Sequence, residues 1–455
     1  DLISWCEKAI KACLAEGAEE AEAFCLTRDT FYYGLSEAGG ERLLEAYRTE
    51  RTGIAIRVFR EGRLGFSFTT DLSEEALREA ARSALKASGE VESFEGFPSP
   101  SRTAKLGLFD EEVAGLTEED CAERLKSMVE QAGDKLIVPE ASFGRSIVRF
   151  GVANTSGLEA EDEGTFVRAS ITLRARGAPA AVGSSAVRRE LSGLDLNSLV
   201  EECASMALLM AEPGGLEPGE YDVVLSPDVV SELVAYALVS SLRADNVRLG
   251  TSALKGKLGE QVASPVVTLL DDPTSREGLC SFGIDDEGMP VRRKALIEKG
   301  VLKGLLYDSL EAGLQGTEPT GNCVRWEPPL VDPFYPRDYR FRPGIYPVNL
   351  ALEPGGKEHA ELISELGEGV LAFRSLSGFG MRPSGEFSLY ITNGFLVEGG
   401  EVKKGLRGFS MRGNVFDLLG KIEAMSSDRE PLFPDMAGFC TIMPYVLVRG
   451  VELIP

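Results

Sequence analysis

"VVSELVAYALVSSL", residues 229–242, is the stretch on which the interpretation of this 455-residue chain depends. Ser226 stands at the N-cap position before it, Pro227 at the first helical position, and Asp228 near the positive end of the helix dipole. Apolar residues recur at three- and four-residue spacing, which predicts a half-buried helix with one apolar face. The stretch contains no histidine, cysteine or lysine, and Glu232 is its only acid. From its pattern alone it is a core helix without reactive groups.

Upstream of this helix, a pattern of helix, strands and helix occurs twice. Two stretches dense in proline, glycine and small residues, 94–103 and 212–222, are typical of boundaries. We therefore predict two N-terminal α+β subdomains, residues 1–103 and 104–215, followed by a third domain over 216–455. The third domain is rich in glycine, proline and strand-like segments, which predicts a mostly antiparallel, barrel-like β domain with a few helices. The expected fold class is α+β.

Composition excludes several classes of function. The chain has 72 acidic and 48 basic residues and a net charge of −24, which argues against nucleic-acid binding and favours a soluble acidic surface. No run of about 18 apolar residues is present, so we expect no membrane span. The eight cysteines are scattered and form no C-x-x-C pair, as is typical of the reducing cytoplasm. We therefore predict a cytoplasmic protein.

Nucleophilic and acid–base sites find little support in the sequence. His359 is the only histidine, and the pattern around it favours a solvated surface residue over a general base. A pairing of His359 with Cys280, Cys323 or Cys440 is formally open, but no local signature supports it. No phosphate-binding loop and no G-x-S-x-G elbow occur. The chain therefore lacks a self-sufficient catalytic set.

Two acidic clusters are the remaining candidates for a metal site. Asp271 and Asp272 form one cluster, and Asp285, Asp286 and Glu287 form the other. Neither has the fixed ligand intervals of a calcium loop, and both lie at strand ends beside proline or glycine. We interpret them as turns, with a weak divalent-cation site as the alternative.

Six segments in the C-terminal half occur in one order that points to a known family. They are "TSALKGKLGEQVASPVVTLLDDP" (251–273), "IDDEGMPVRRKALIEKGVLKGLLYD" (284–308), "GTEPTGN" (316–322), "YPVNLALEPG" (346–355), "SGEFSLYITNGFLVEGGEV" (384–402) and "RGFSMRGNVFDLLGKIEAMSSD" (407–428). Together they resemble the TldD/PmbA family, historically named modulators of DNA gyrase. The match is dense over about residues 220–450, whereas the N-terminal half is similar mainly in layout.

The resemblance implies a cytoplasmic protease system with two branches. The TldD branch carries H-E-x-x-x-H on the first helix of the C-terminal domain, and a later cysteine completes the metal site. Two histidines spaced in this way can bind one metal ion while the glutamate acts as a base. The PmbA/TldE branch lacks the motif and pairs with TldD.

Alignment with that motif places Ala235 and Tyr236 at the His-Glu positions and Ser240 at the second histidine. None of the three is a good zinc ligand or base. Cys440 falls near the family's metal cysteine, but without histidine partners we expect it to be a packed thiol. The resemblance therefore predicts no catalytic residue and no metal in this chain, with zinc only in a TldD-like partner.

The leading hypothesis is a PmbA/TldE-like, non-catalytic subunit of a TldD/TldE-type metalloprotease complex. Its implied partners are a TldD-like subunit and extended or unfolded peptides held as an added strand, with homodimers when the chain is alone. The loop of residues 324–344, rich in proline and aromatic residues, either contacts a partner or packs on itself. The residues predicted to line the peptide cavity are Pro319, Thr320, Gly321, Asn322 and Arg325.

Two alternatives stay open from the sequence. One is an autonomous peptidase that uses Cys440 or an acidic pair with a loosely held metal ion. The other is an acidic protein that acts on DNA gyrase by direct binding, which the charge permits and the family's name suggests.

Overall fold

The computed structural model describes residues 1–38, 41–103, 105–326, 334–376, 382–434 and 437–455. The strands within these residues are β1 (Glu20–Ala38), β2 (Glu41–Arg60), β3 (Arg63–Thr69), β4 (Gly89–Glu90), β5 (Leu136–Asn154), β6 (Glu159–Ala175), β7 (Val182–Arg188), β8 (Gly219–Leu225), β9 (Leu269–Asp271), β10 (Lys294–Glu298), β11 (Val301–Leu302), β12 (Cys323–Val324), β13 (Gly344–Ile345), β14 (Asn349–Leu352), β15 (Gly369–Leu376), β16 (Glu386–Glu398), β17 (Glu401–Leu406), β18 (Phe409–Asn414), β19 (Ile422–Leu432) and β20 (Cys440–Ile454).

The α-helices within the same residues are α1 (Leu2–Ala15), α2 (Glu74–Lys86), α3 (Glu111–Gly115), α4 (Glu118–Gln131), α5 (Leu196–Leu209), α6 (Pro227–Leu233), α7 (Val239–Leu242), α8 (Ala244–Arg248), α9 (Ser309–Gln315), α10 (His359–Leu366) and α11 (Val415–Gly420). A π-helical turn (Val234–Leu238) joins α6 to α7. No helix in the described ranges combines the length and apolar character needed to cross a membrane.

A seven-stranded antiparallel sheet forms the N-terminal half, with the order β4-β3-β2-β1-β5-β6-β7. Both predicted N-terminal units contribute to it, because β1 pairs with β5 along Glu22–Ser36. The two predicted N-terminal subdomains therefore share one sheet. Their boundaries, residues 1–103 and 104–215, stay a prediction. Glu61 and Gly62 form the two-residue turn between β2 and β3, with φ of 50° and 74°.

The two faces of this sheet differ in character. In β6, Val167 and Ile171 point to one face, while Arg168 and Ser170 alternate with them on the other. Helices α1, α2, α4 and α5 cover the first face. The other face is apolar only around residues such as Phe24, where it packs against the C-terminal domain. Beyond that contact it presents small and polar side chains.

The C-terminal domain contains a closed barrel of five strands. Strands β8, β15, β16, β18 and β20 pair in that order, and β20 pairs back with β8. Most strand pairs in this domain are antiparallel, with β8–β15 and β14–β20 as parallel exceptions. The largest apolar core of the domain surrounds α6, the π turn and α7. The predicted fold class, α+β with a barrel-like C-terminal domain, is confirmed.

Candidate functional site

The helix quoted at the outset begins as its sequence predicts. Ser226 Oγ accepts the Val229 N–H at 3.4 Å and donates to the Phe373 carbonyl at 2.7 Å, and Pro227 occupies the first turn. Its burial differs from the expectation, because every residue from Val229 to Leu242 is buried. The prediction of a half-buried helix was wrong. Strands β15 and β20 pack against α6, and the rest of the domain core covers its other sides.

The helix changes from α to π geometry at Val234–Leu238. The Val239 N–H bonds the Val234 carbonyl five residues earlier, whereas an α-helix would bond four residues back. Ala235 lies within this turn, and Ser240 follows it in α7. Single π turns occur often at functional sites. Here the turn coincides with the positions that the resemblance aligns with the metal motif.

The side chains at this turn do not fit a zinc ion. Ala235 offers no ligand atom, and Tyr236 and Ser240 are poor zinc ligands in their neutral forms. Cys440 is fully buried, its Sγ donates to the Thr441 carbonyl at 3.4 Å, and burial raises the pKa of its thiol. It is a packed thiol, as expected. Among the described residues, no group of three or more His, Cys, Asp or Glu side chains is arranged to hold a metal ion.

A cavity of about 550 Å³ lies between the polar face of the seven-stranded sheet and the start of this helix. Asp228, Ser231 and Glu232 of α6 form part of its roof. Because Ser231 precedes Ala235 by about one turn, the π turn follows directly after this roof. The floor consists mainly of small and hydroxyl-bearing residues from neighbouring strands, among them Thr30, Gly34, Ser36, Ser142 and Ser185.

A second cavity, of about 510 Å³, lies beside the first. The two share the lining residues Ser185, Asp228, Arg374 and Leu432. We call the pair the double cavity. Each of its two halves has the size of a typical ligand pocket, within the range of about 300–1,000 Å³.

An ion pair stands where the two cavities meet. Arg374 Nη1 donates to Asp228 Oδ2 at 2.7 Å, and the Ser375 N–H donates to Asp228 Oδ1 at 3.1 Å. Burial acts to lower the pKa of Arg374, but the charge and the hydrogen bond of Asp228, together with nearby Glu202 and Cys203, raise it more, so the net pKa is raised. Sequence reasoning missed Arg374. The signal was present, since Arg374 is the only charged residue within the apolar strand "GVLAFRSL".

The edges of both sheets approach each other along the double cavity. In the described residues, β7 pairs only with β6, while β19 pairs with β20 and makes one further bridge at Ser426. Arg188 on β7 and Glu430 on β19 join the edges through a 2.7 Å ion pair. Burial raises the pKa of Glu430, against the opposing influence of Arg188.

His359 lies in the wall of the second cavity. It is at the surface, as the sequence predicts, with 44% of its side chain exposed. It also has a partner that the sequence did not reveal, because its Nδ1 lies 2.8 Å from Asp428 Oδ2. Its ring stacks on Tyr445 with centroids 4.7 Å apart. This arrangement fixes the ring against the cavity wall.

The five residues predicted to line the peptide cavity lie elsewhere. None of Pro319, Thr320, Gly321, Asn322 and Arg325 lines either half of the double cavity. Asn322 is fully buried and donates to Asp271 Oδ2 at 2.7 Å and to the Tyr346 carbonyl at 2.9 Å. Thr320 Oγ1 donates to Asn322 Oδ1 at 2.7 Å. A role of these residues in peptide binding stays a prediction, while the structure assigns Thr320 and Asn322 to a buried hydrogen-bond network.

Arg325 belongs to a buried contact between the two halves of the molecule. Its side chain donates to Glu22 Oε1 on β1 at 3.2 Å and lies over the Phe24 ring at 4.8 Å. Glu22 also accepts two bonds from Arg57, at 2.8 and 2.5 Å. Burial lowers the pKa of Arg325, which Glu22 partly offsets. This arginine therefore ties the C-terminal domain to the seven-stranded sheet.

The loop of residues 324–344 packs inward where the structure describes it. Residues 327–333 lie outside the described residues. Phe334, Tyr335 and Tyr339 are buried in the apolar contact between the sheet and the C-terminal domain. This part of the loop therefore packs against the seven-stranded sheet, and Phe334 also lines the first cavity. Contact of the loop with a partner or a peptide stays a prediction.

The acidic cluster of residues 285–287 forms a turn, as predicted, but it is buried. Asp285 Oδ1 accepts the N–H groups of Glu287 and Met289 at 3.1 and 2.9 Å. Burial, followed by the charge of Glu287, raises the pKa of Asp285 well above its usual value. Glu287 Oε2 accepts a bond from Arg57 at 3.1 Å. The cluster thus extends the contact between the domains.

Comparison with known proteins places the chain in one family. Models of PmbA/TldA metallopeptidase domain 1, the central domain and the C-terminal domain match residues 41–88, 111–211 and 218–454. A metalloprotease of Methanothermobacter thermautotrophicus is 27% identical over 88% of this chain and 86% of its own length.

Two solved structures share the whole architecture. The TldE structure from Thermococcus kodakarensis has a TM-score of 0.86 and 24% identity over 99% of this chain and 100% of that one, and at this identity it shows the fold alone. A Thermotoga maritima protein that carries the name of a DNA gyrase modulator has a TM-score of 0.80 and 27% identity over 99% of both chains. This chain belongs to the PmbA/TldD family of metallopeptidase-related proteins.

Proposed function

We propose that this chain is the non-catalytic, TldE-like subunit of a TldD/TldE-type protease and binds extended peptides in the double cavity. The observation that carries the proposal is the side-chain set at the π turn. Ala235, Tyr236 and Ser240 occupy the aligned positions of the metal motif, close to a cavity of about 550 Å³. A cavity without zinc ligands beside it suits peptide binding rather than hydrolysis.

The walls of the double cavity suit an extended peptide. The outer edges of strands β7 and β19 run along the double cavity. An extended chain can add to such an edge through main-chain hydrogen bonds. The small side chains of the floor leave room for the peptide's own side chains. Main-chain recognition of this kind depends little on sequence, which fits substrates that are unfolded segments rather than one defined peptide.

The hydrolytic zinc belongs to the partner in this proposal. A TldD-like subunit supplies H-E-x-x-x-H, and this chain presents or encloses the peptide. The eight cysteines are free and buried, in keeping with the reducing cytoplasm where such a complex would act.

The test compares the chain alone with the chain plus the TldD-like relative from the same genome. A fluorescent unfolded peptide measures binding, cleavage of an unfolded protein measures hydrolysis, and elemental analysis measures zinc. We expect the chain alone to bind peptide without cleaving it, and the mixture to cleave faster than the relative alone. A version of the relative with its motif glutamate replaced by glutamine serves as the inactive control.

Two results would contradict the proposal. Robust cleavage by the isolated chain, abolished by thiol alkylation or by a chelator, would establish an autonomous peptidase. Stable binding to purified gyrase at physiological salt, without peptide binding, would instead favour the gyrase-directed alternative.

A further inference from the structure

The two halves of the double cavity lie on opposite faces of β7. Val187 lines the first half, and Ser185 lines both. The residues of β7 that line the second half alone are Ser184, Ala186 and Arg188. Successive side chains of a strand point to opposite faces of its sheet, and paired residues on neighbouring strands share a face. Every second side chain of a peptide strand added to the outer edge of β7 would therefore enter the second half.

The second half has apolar walls beside its charged groups. Leu199 of α5, Phe373 of β15 and Leu432 of β19 lie in its lining. The ring of Tyr445 lies there too, stacked on His359. The methylene stems of lysine and arginine pack along apolar surface while their charged heads stay in a polar environment. These walls therefore suit the stem of a long basic side chain.

The charges of the second half favour a positive head group. Each arginine in its described lining already pairs with a carboxylate at 2.7–2.9 Å, namely Arg188 with Glu430, Arg374 with Asp228, and Arg429 with Glu277. Glu202 of α5 also lies in the lining, where its Oε1 accepts the Tyr445 hydroxyl at 3.5 Å, and no lysine or arginine among the described residues pairs with it. An ammonium or guanidinium group would therefore find an available carboxylate there, whereas an acidic side chain would find only arginines that already have partners.

Glu202 acts on the other acidic groups of this lining. Burial raises the pKa of Glu430, Arg188 opposes this shift, and the negative charge of Glu202 adds to it. Burial, followed by the charge of Glu202, also raises the pKa of the Tyr445 hydroxyl. Glu202 is therefore close enough to both groups to oppose negative charge on them. A basic side chain placed among the three would relieve this repulsion.

The first half offers a different environment beside β7. Arg168 lines it and lies opposite Val187 on the neighbouring strand β6, so a basic peptide side chain paired with Val187 would approach a like charge. Besides the paired Asp228, the acids that line this half are Glu45 on β2, Glu140 on β5 and Glu232 in the roof. Neither β2 nor β5 is next to β7 in the sheet. Together with the small, hydroxyl-bearing floor, this arrangement suits uncharged side chains.

We propose that the second half of the double cavity binds lysine or arginine side chains of an extended peptide, and that Glu202 determines this specificity. The inference rests on the proposed function, because it requires a peptide strand along β7. Main-chain hydrogen bonds to the strand edge hold any extended segment. The second half then favours segments that carry a basic residue at every second position, while the first half receives the uncharged residues between them.

Short labelled peptides of lysine and glutamine test the alternation. One peptide alternates the two residues, and a second has the same composition with all its lysines in one block. A third contains glutamine alone, and a fourth alternates glutamate with glutamine. Fluorescence anisotropy with the wild-type chain measures their affinities. We expect the alternating lysine peptide to bind at least threefold more tightly than the blocked one and at least tenfold more tightly than the glutamate peptide.

The variant Glu202→Gln tests the residue itself. We expect it to reduce the advantage of the alternating lysine peptide over the glutamine peptide at least threefold, with unchanged affinity for the glutamine peptide and an unchanged thermal unfolding midpoint. Glu201→Gln is the matched control, because Glu201 is the exposed neighbour on the same helix and lines neither half. Both variants remove one negative charge, so a general attraction between this acidic chain and basic peptides would change equally in the two.

The outcomes separate this inference from the proposed function. Equal affinity for the alternating and the blocked peptide, or equal effects of Glu202→Gln and Glu201→Gln, would overturn the inference. The proposed function would stand in either case if the glutamine peptide still bound. If the wild-type chain bound none of the four peptides, the proposed function and the inference would both fail.

Discussion

Arg374 Nη1 lies 2.7 Å from Asp228 Oδ2, and this ion pair separates the two halves of the double cavity. The topology brings the two residues together. Strand β15 runs parallel to β8, with Ala372 opposite Leu225, so the end of β15 meets the start of α6. Asp228 also lies in the first turn of α6, where the helix dipole favours a negative charge.

Replacement of Arg374 by methionine should destabilise the protein. The change leaves Asp228 without its cation in a half-buried position, where lost charge-assisted hydrogen bonds cost about 1–3 kcal/mol. Urea denaturation measures the loss in free energy of unfolding. Arg382→Met is the control, because Arg382 and Glu386 form an exposed pair whose loss should cost less than about 1 kcal/mol. Equal losses in the two variants would show that the Arg374–Asp228 pair has no special structural role.

Obstruction of the double cavity should abolish peptide binding. Ser185 on β7 lines both halves, so Ser185→Trp would fill the passage between them. We expect at least a tenfold loss of affinity for an unfolded peptide, measured by fluorescence anisotropy. Thr172→Trp is the matched control, because Thr172 points to the same face of the sheet but lines neither half. Unchanged affinity in Ser185→Trp would place the peptide elsewhere on the molecule.

Replacement of Arg325 by methionine distinguishes the predicted role of this residue from its observed contact. Arg325 is fully buried against Glu22 and Phe24. Removal of one partner from a buried ionic network costs about 3–5 kcal/mol, so the unfolding transition should move to clearly lower denaturant. Peptide affinity, measured well below that transition, should stay unchanged. A stable Arg325→Met protein that has lost peptide affinity would instead support the original prediction.

Zinc should not stabilise this chain. Purified protein treated with a chelator should keep its thermal unfolding midpoint, because the π-turn side chains do not fit a metal ion. Addition of zinc should leave the midpoint unchanged as well. A TldD-like relative with an intact motif should lose its zinc under the same treatment. A midpoint in this chain that rises with zinc and returns to its starting value with the chelator would contradict the interpretation of Ala235 and Ser240.

The fold was predictable where local pattern and tertiary contact agree. Alternation in β6 indicates two faces, and the cap at Ser226 marks the start of α6. The burial of Asp285 was not predictable. Acidic residues beside a glycine indicate a turn, and the same pattern occurs in turns at the surface and in turns buried between domains. The π turn at Val234–Leu238 has no sequence signal either. Site residues such as Arg374 meet through long-range pairing, which a single sequence does not reveal.

Stability should depend on pH through Asp308, which caps α9 by accepting the Glu311 N–H at 2.8 Å. Burial, followed by the charge of Glu287, raises the pKa of Asp308 to about 6. An unfolded aspartate titrates near 3.9, so between about pH 4 and 6 the folded state binds the proton more tightly. The contribution of Asp308 to stability is therefore largest at low pH and falls as the pH rises through about 6.

Asp308→Asn keeps a cap acceptor but removes the charge. We expect its free energy of unfolding to exceed that of the wild type by about 1 kcal/mol at pH 8, with the difference shrinking toward pH 4. Asp195→Asn is the control, because the Ser198 N–H lowers the pKa of Asp195 at the cap of α5. Its free energy of unfolding at pH 8 should therefore be lower than that of the wild type. Urea denaturation from pH 4 to 8 measures the free energy of unfolding of both variants and of the wild type. If Asp308→Asn were the less stable protein at pH 8, the carboxylate at this cap would be stabilising, and the assigned direction of its pKa shift would be wrong.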